Sequence, residues 1–146
     1  MSEHDVVERE VLLPLEQEEA WHAACEPDGL REWLAPEIEL DLRPGGEGVI
    51  RWEDGGEREV LVEEVDPGER IAFRWRSLDD ADDPVRGLPT RVEIALEPVE
   101  GGTLVRVVES GFAQLGAPVA LACGLSSAWA WETALAHCGA RALTAR

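Results

Sequence analysis

Lysine, asparagine and tyrosine are absent from this chain of 146 residues, and all 13 basic residues are arginine. The three missing amino acids share A/T-rich codons, which points to a GC-rich, bacterial genome and not to a chemistry. Basic residues are scarce as well: 13 stand against 31 acidic ones, for a formal net charge of -18. Neutralising a phosphate backbone needs a basic stripe, so nucleic acid is excluded as a partner, and an anionic membrane surface is disfavoured for the same reason. Only three cysteines occur, Cys25, Cys123 and Cys138. The acidic opening Met1–Asp5 leads into no apolar leader, so a cytoplasmic protein without a disulfide framework is expected.

The histidines and cysteines also lack metal-site spacing. No CxxC, HxxxH or HExxH pattern is present; His22 and Cys25 make a single i,i+3 pair, and His137 and Cys138 are adjacent. Adjacent helical side chains point about 100° apart, and structural zinc takes four ligands, so no metal is expected. Ser110-Gly and Ser126-Ser have no nucleophile-elbow context. Pro44-Gly-Gly-Glu-Gly runs into a strand, whereas a phosphate cradle opens a helix. Asp79-Asp-Ala-Asp-Asp lacks the glycine and terminal glutamate of a calcium loop. No cofactor is expected.

What remains is 45% hydrophobic and 30% charged residues, the composition of a globular chain, here read as one domain over residues 1–146. Val6–Leu13 is β-branched and partly alternating, a first strand. Pro14 ends it, and Glu16, Glu18 and Glu19 crowd the start of a short helix whose apolar side is Ala20, Trp21 and Ala24. Pro27-Asp-Gly reads as an interruption before a second short helix over 30–34. Six strands follow. Ile38, Leu40 and Leu42 alternate with polar residues; Val49–Trp52 and Glu59–Val65 flank an Asp-Gly-Gly turn; Ile71, Phe73 and Trp75 share one face; Val92, Ile94 and Leu96 another; Thr103–Ser110 is last.

The final stretch, Val119–Leu143, is rich in alanine and leucine and nearly uncharged. Trp131, Leu135, Cys138 and Ala142 recur at helical spacing, and Leu121, Leu125, Ala128 and Trp129 extend the apolar surface. Gly124, Ser126, Ser127 and His137 argue against a membrane span. A helix this apolar needs a surface to cover, and an antiparallel sheet has one apolar face to be covered. The expected fold is therefore α+β: a curved antiparallel sheet of about seven strands, two short helices after the first strand, and a long C-terminal helix, with room for a cavity between sheet and helix.

Glu8-Arg-Glu-Val-Leu-Leu-Pro, Ala20-Trp21, Pro27-Asp-Gly-Leu-Arg-Glu-Trp-Leu, Phe73-Arg-Trp75, Gly102-Thr103-Leu and Val107-Val-Glu-Ser-Gly-Phe112 stand in an order that resembles the SRPBCC (START/Bet v 1-like) superfamily. The branch it is most similar to is the C-terminal domain of the heat-shock-protein-90 ATPase activator. The resemblance implies a helix-grip fold with a hydrophobic pocket; its members include lipid carriers, cyclases and co-chaperone domains, so it does not settle activity. Two departures are visible: Ala113–Ala128 is longer and more apolar than a short polar link, and Ala130 stands where the pattern has glycine before Trp131.

Counting by twos, Thr103, Val105, Val107 and Glu109 share the core face. An inward carboxylate must be paired, hydrogen-bonded or protonated. Glu109 could orient a polar ligand group or act as general acid or base, or, near the strand end, simply meet solvent or pair structurally with an arginine such as Arg74 or Arg76. Trp52, Phe73, Trp75 and Trp131 could wall a pocket for a flat ligand or simply pack the core. The expected binding set is Trp52, Phe73, Trp75, Val107, Glu109, Trp131 and Leu135, holding a small hydrophobic or aromatic molecule. The alternatives are a regulatory or co-chaperone-like domain that binds a protein through its acidic surface or Leu115–Leu125, and a cyclase- or hydrolase-type enzyme using Glu109. A monomer or homodimer is expected.

Overall fold

The computed structural model describes residues 6–53, 56–77, 90–111, 131–132, 134–136 and 138–139. Strand β1 (Val6–Leu13) is followed by helices α1 (Gln17–Ala24) and α2 (Pro27–Trp33), and then by β2 (Glu37–Leu40), β3 (Glu47–Arg51), β4 (Glu57–Asp66), β5 (Arg70–Ser77), β6 (Thr90–Val99) and β7 (Gly102–Ser110). The strands form one seven-stranded sheet in the order β1-β7-β6-β5-β4-β3-β2, antiparallel throughout. The two outermost strands are joined through α1 and α2, so the helices bridge the ends of the curved layer. The expected α+β architecture is present, with local corrections. Pro27-Asp-Gly is the first turn of α2 and not a break, because proline suits the first helical position. Strand β2 ends at Leu40, since Asp41–Gly46 turns back on itself through bonds from Arg43 N–H to Asp41 O and from Gly46 N–H to Arg43 O.

Alternation sorts the sheet into two chemically different faces. The inner face carries Val7, Leu13, Ile38, Ile50, Val60, Val62, Ile71, Phe73, Trp75, Val92, Ile94, Leu96, Val105 and Val107, all buried. The outer face carries a lattice of ion pairs. Arg91 meets Glu63 and Glu64 at 3.0 and 2.9 Å, Arg70 meets Glu93 at 2.6 Å, and Arg106 meets Glu10 at 3.1 Å. Hydrogen bonding from Arg74 is the main cause holding the Glu63 carboxyl below the usual carboxylate range. Exposed pairs contribute little each, typically about 0–1 kcal/mol, so this lattice solubilises the face more than it stabilises the fold.

Trp131, Glu132, residues 134–136, Cys138 and Gly139 are helical, with Trp131, Leu135 and Cys138, the described part of the expected apolar stripe, buried in the core. A Cβ placed on Gly139 would sit 3.2 Å from Val11 Cγ2, which shows how closely this helix crosses β1. The expected segments Ala113–Ala128 and Asp79–Pro84, and Leu121, Leu125 and Ala142, lie outside the described residues. Gln17 Nε2 donates to Gly68 O at 2.7 Å and ties α1 to the β4–β5 turn, where Gly68 adopts φ 83°. A side chain at that φ is strained, which is why the turn uses glycine.

Cys25 and Cys138 are both free and buried. Burial pushes the Cys138 thiol up to about 12. Cys25 is driven higher still, by burial first and by the neighbouring Cys138 second. Since the unfolded thiols ionise nearer 9, the folded state gains from these groups below that pH and loses the gain as pH rises through the folded values. Unfolding free energy should therefore fall above pH about 9, by up to about 1.4 kcal/mol per unit for each thiol. Iodoacetamide at pH about 8 should leave both unmodified in the native protein, because only thiolates react. Labelling of Cys25 as fast as in urea would refute the burial argument.

Candidate functional site

Apart from Thr103 at the start of β7, the buried polar side chains of the inner face gather at one end, where β7 finishes, β6 begins and β5 finishes. Register places Glu109 opposite Val92 on one side and Val7 on the other, and places Trp75 opposite Thr90. Glu109 is 2% exposed. Its Oε2 accepts from Trp75 Nε1 at 2.8 Å and from Thr90 Oγ1 at 2.5 Å, and its Oε1 accepts from Trp131 Nε1 at 2.9 Å. Trp75 Nε1 also reaches Thr90 Oγ1 at 3.1 Å. A carboxyl inside an apolar layer is thus held from three sides by side-chain donors, one of them on the C-terminal helix.

Arg74 and Arg76, named above as structural partners of Glu109, are not there. They alternate onto the outer face, where Arg74 meets Glu63 at 2.8 Å and Arg76 meets Glu59 at 3.5 Å. Among the described residues a guanidinium does reach the inner face at Arg58, whose Cζ lies 4.3 Å from the centroid of Trp75 and 5.6 Å from that of Trp52. A cation over an indole face gains about 0.5–2 kcal/mol, more where water is excluded. Arg58 and Thr90 were both legible by counting back two residues from Val60 and Val92, but neither residue type drew attention.

Aromatic contacts extend outward from Trp75. Trp131 stacks on it at 5.5 Å with planes 18° apart, Phe73 meets it at 5.4 Å, and Trp52 meets it edge-on at 6.1 Å. Trp33 of α2 lies 6.3 Å from Trp131. Trp52 Nε1 donates to Leu34 O at 3.0 Å, which closes the C-terminal end of α2 over the wall. Of the expected set, Trp52, Phe73, Trp75, Glu109 and Trp131 converge through these contacts. Val107 is buried two residues before Glu109 on β7, and Leu135 is buried one helical turn beyond Trp131. Trp33, part of the same wall, was passed over because it reads as an ordinary helix-core residue.

No group of three or more metal-ligating side chains occurs among the described residues. Cys25 is buried, and His22, on the exposed side of α1, contacts Glu26. A groove of about 350 Å³, open to solvent, runs between α1 and the β4–β5 turn, bordered by Gln17, Trp21, His22, Pro67 and Glu69, apart from the tryptophan wall. No described helix is long and apolar enough to cross a membrane.

A curved antiparallel sheet closed on one side by a tryptophan-anchored helix defines the helix-grip class. The sequence profile described as Activator of Hsp90 ATPase homolog 1-like protein matches residues 14–134, and the chain belongs to that family, within the SRPBCC superfamily. No curated protein matches it. Among solved structures, protein MLL2253 from Mesorhizobium loti is similar at a TM-score of 0.81 and 23% identity, over 95% of this chain and 96% of that one. DynU16, from the dynemicin biosynthetic locus, gives 0.79 at 22% identity, over 97% of this chain but 48% of its own. The Aha1 dimer from Colwellia psychrerythraea gives 0.57 at 23% identity, over 72% and 75% of the two chains. These likenesses are of fold. Family and fold together place the chain among ligand-binding or regulatory domains in general.

Proposed function

We propose that the protein binds a small, flat, hydrophobic or aromatic molecule between the sheet and the C-terminal helix, at the wall formed by Trp52, Phe73, Trp75 and Trp131, with Val107 and Leu135 beside it. One observation carries this reading: a single buried carboxyl, Glu109, is fixed by donors from β5, β6 and the helix at the place where the tryptophans meet. Ligand sites combine mostly apolar walls with a few placed polar groups, and this end of the inner face has that composition. The free thiols Cys25 and Cys138 support a reducing, cytoplasmic setting.

The test is retention and stabilisation. Native mass spectrometry of the purified chain should find a bound small molecule. Naphthalene- or anthracene-sized compounds at about 100 times Kd should stabilise it by about 2.7 kcal/mol, raising Tm by roughly 5–10 °C. Indifference to every such compound would remove the reading. A second reading is a co-chaperone-like or regulatory domain with a protein partner or a second copy of itself. The family match favours it, and the Aha1 dimer is a solved relative in fold. It predicts co-purification of that partner without thermal response to apolar compounds. Catalysis by Glu109 has less support, because both of its oxygens already accept from protein donors.

A further inference from the structure

Three of the four indole N–H groups in the wall have acceptors: Trp52 donates to Leu34 O, Trp75 to Glu109 and Thr90, and Trp131 to Glu109. Trp33 Nε1 is different. It is buried in a residue 6% exposed and has no hydrogen-bond partner, alone in this among the described side chains. A buried donor left without an acceptor loses its hydration and receives nothing in exchange, so native proteins keep few of them, and each asks for an explanation. Here the orphan belongs to the ring beside Trp131, at the outer end of the aromatic contacts that spread from Trp75.

We propose that Trp33 Nε1–H is the hydrogen-bond donor to the bound molecule, and that this molecule carries a carbonyl oxygen on its flat apolar frame. The proposal rests on the ligand-binding reading above and narrows it. Indoles supply the frame's surroundings: Trp131 lies next to Trp33 and is stacked on Trp75. A neutral oxygen suits the site better than an anion. The donor is uncharged, and the Glu109 carboxyl already stands beside Trp131, accepting from that ring's nitrogen at 2.9 Å. A single ordered water would need two or more further polar partners at the same spot, and it is the competing occupant.

The experiment pairs two probes of one shape, 2-acetylnaphthalene and 2-isopropenylnaphthalene, which differ by C=O against C=CH2. Both are titrated into the full ¹⁵N-labelled chain while the indole N–H cross-peaks of its six tryptophans are followed. The ketone should bind about tenfold tighter, the worth of one net hydrogen bond. It should move the Trp33 cross-peak downfield, which the hydrocarbon should not. In Trp33→Phe that preference should vanish while both probes still bind. If the variant does not fold, the wild-type preference and the through-bond-assigned Trp33 peak decide alone. Equal binding with an unmoved Trp33 peak overturns the carbonyl assignment and leaves the apolar site standing. A persistent water contact at Trp33 Nε1 that survives ketone binding overturns it too. Binding of neither probe overturns the ligand reading and this one with it.

Discussion

Glu109→Ala should lower the unfolding free energy by about 3 kcal/mol, whereas Glu109→Gln should cost only about 1 kcal/mol. The difference follows from the donors around the carboxyl. In the alanine variant Trp131 Nε1 loses its acceptor at 2.9 Å, and a cavity opens where the side chain was. Thr90 Oγ1 and Trp75 Nε1 fare better, since they already lie 3.1 Å apart and can bond to each other. Glutamine keeps the volume. Its carbonyl can face Trp131; its amide then replaces an oxygen 2.8 Å from Trp75 Nε1 and faces that donor, which is the variant's cost, but it can donate to Thr90 Oγ1 once that hydroxyl turns from donor to acceptor. Thr90 oxygen, with two lone pairs, then also serves Trp75. Urea midpoints of the two variants against wild type give the comparison. A Glu109→Ala protein as stable as wild type would show that the carboxyl does not hold the helix to the sheet. The same pair bears on function: any turnover that Glu109→Gln retains removes the residue as a general acid or base, because that variant stays folded.

How much of this could be read in the chain depends on the reach of the signal. Strand alternation is local: it puts Phe73 and Trp75 on one face of their strand and Glu109 on the core face of its own, and all three are buried. The same period put Arg74 and Arg76 on the outer face. Opposite charge suggests pairing them with Glu109, but strand parity rules it out. Which strand lies beside which is a matter of long-range pairing, so Thr90 next to Trp75 and the convergence of β5, β6 and β7 could not come from spacing. Helix α2 was misplaced at its start because Pro-Asp-Gly signals a turn in isolation, while proline at the first helical position signals an entry. The unpartnered Trp33 nitrogen is the clearest case of something no pattern reveals. Burial and the absence of an acceptor exist only once neighbours from several elements have met.

Among the described residues of the C-terminal helix, Trp131 carries the aromatic and hydrogen-bond contacts to the sheet, so Trp131→Ala should have the larger effect of the two, about 4 kcal/mol. Trp131 is 3% exposed, stacks on Trp75, touches Trp33 and donates to Glu109. Alanine removes all three contacts and leaves Glu109 Oε1 without that donor. Leu135 and Cys138, further along the helix, would still face the core. Against a total stability of about 5–15 kcal/mol, the loss leaves a marginal protein. Trp131→Phe divides the effect: it keeps an aromatic ring on Trp75 but deletes the N–H and the five-membered ring that carries it, so it should cost about 1–2 kcal/mol. Stacked indoles couple their transitions, and either variant should abolish the Trp75–Trp131 exciton signal in far-ultraviolet circular dichroism. A Trp131→Ala chain that melts within 2–3 °C of wild type, less than about 1 kcal/mol of destabilisation, would mean the helix is anchored elsewhere. The inner face would then have to be covered without the tryptophan that both the ligand site and the closure of the sheet require.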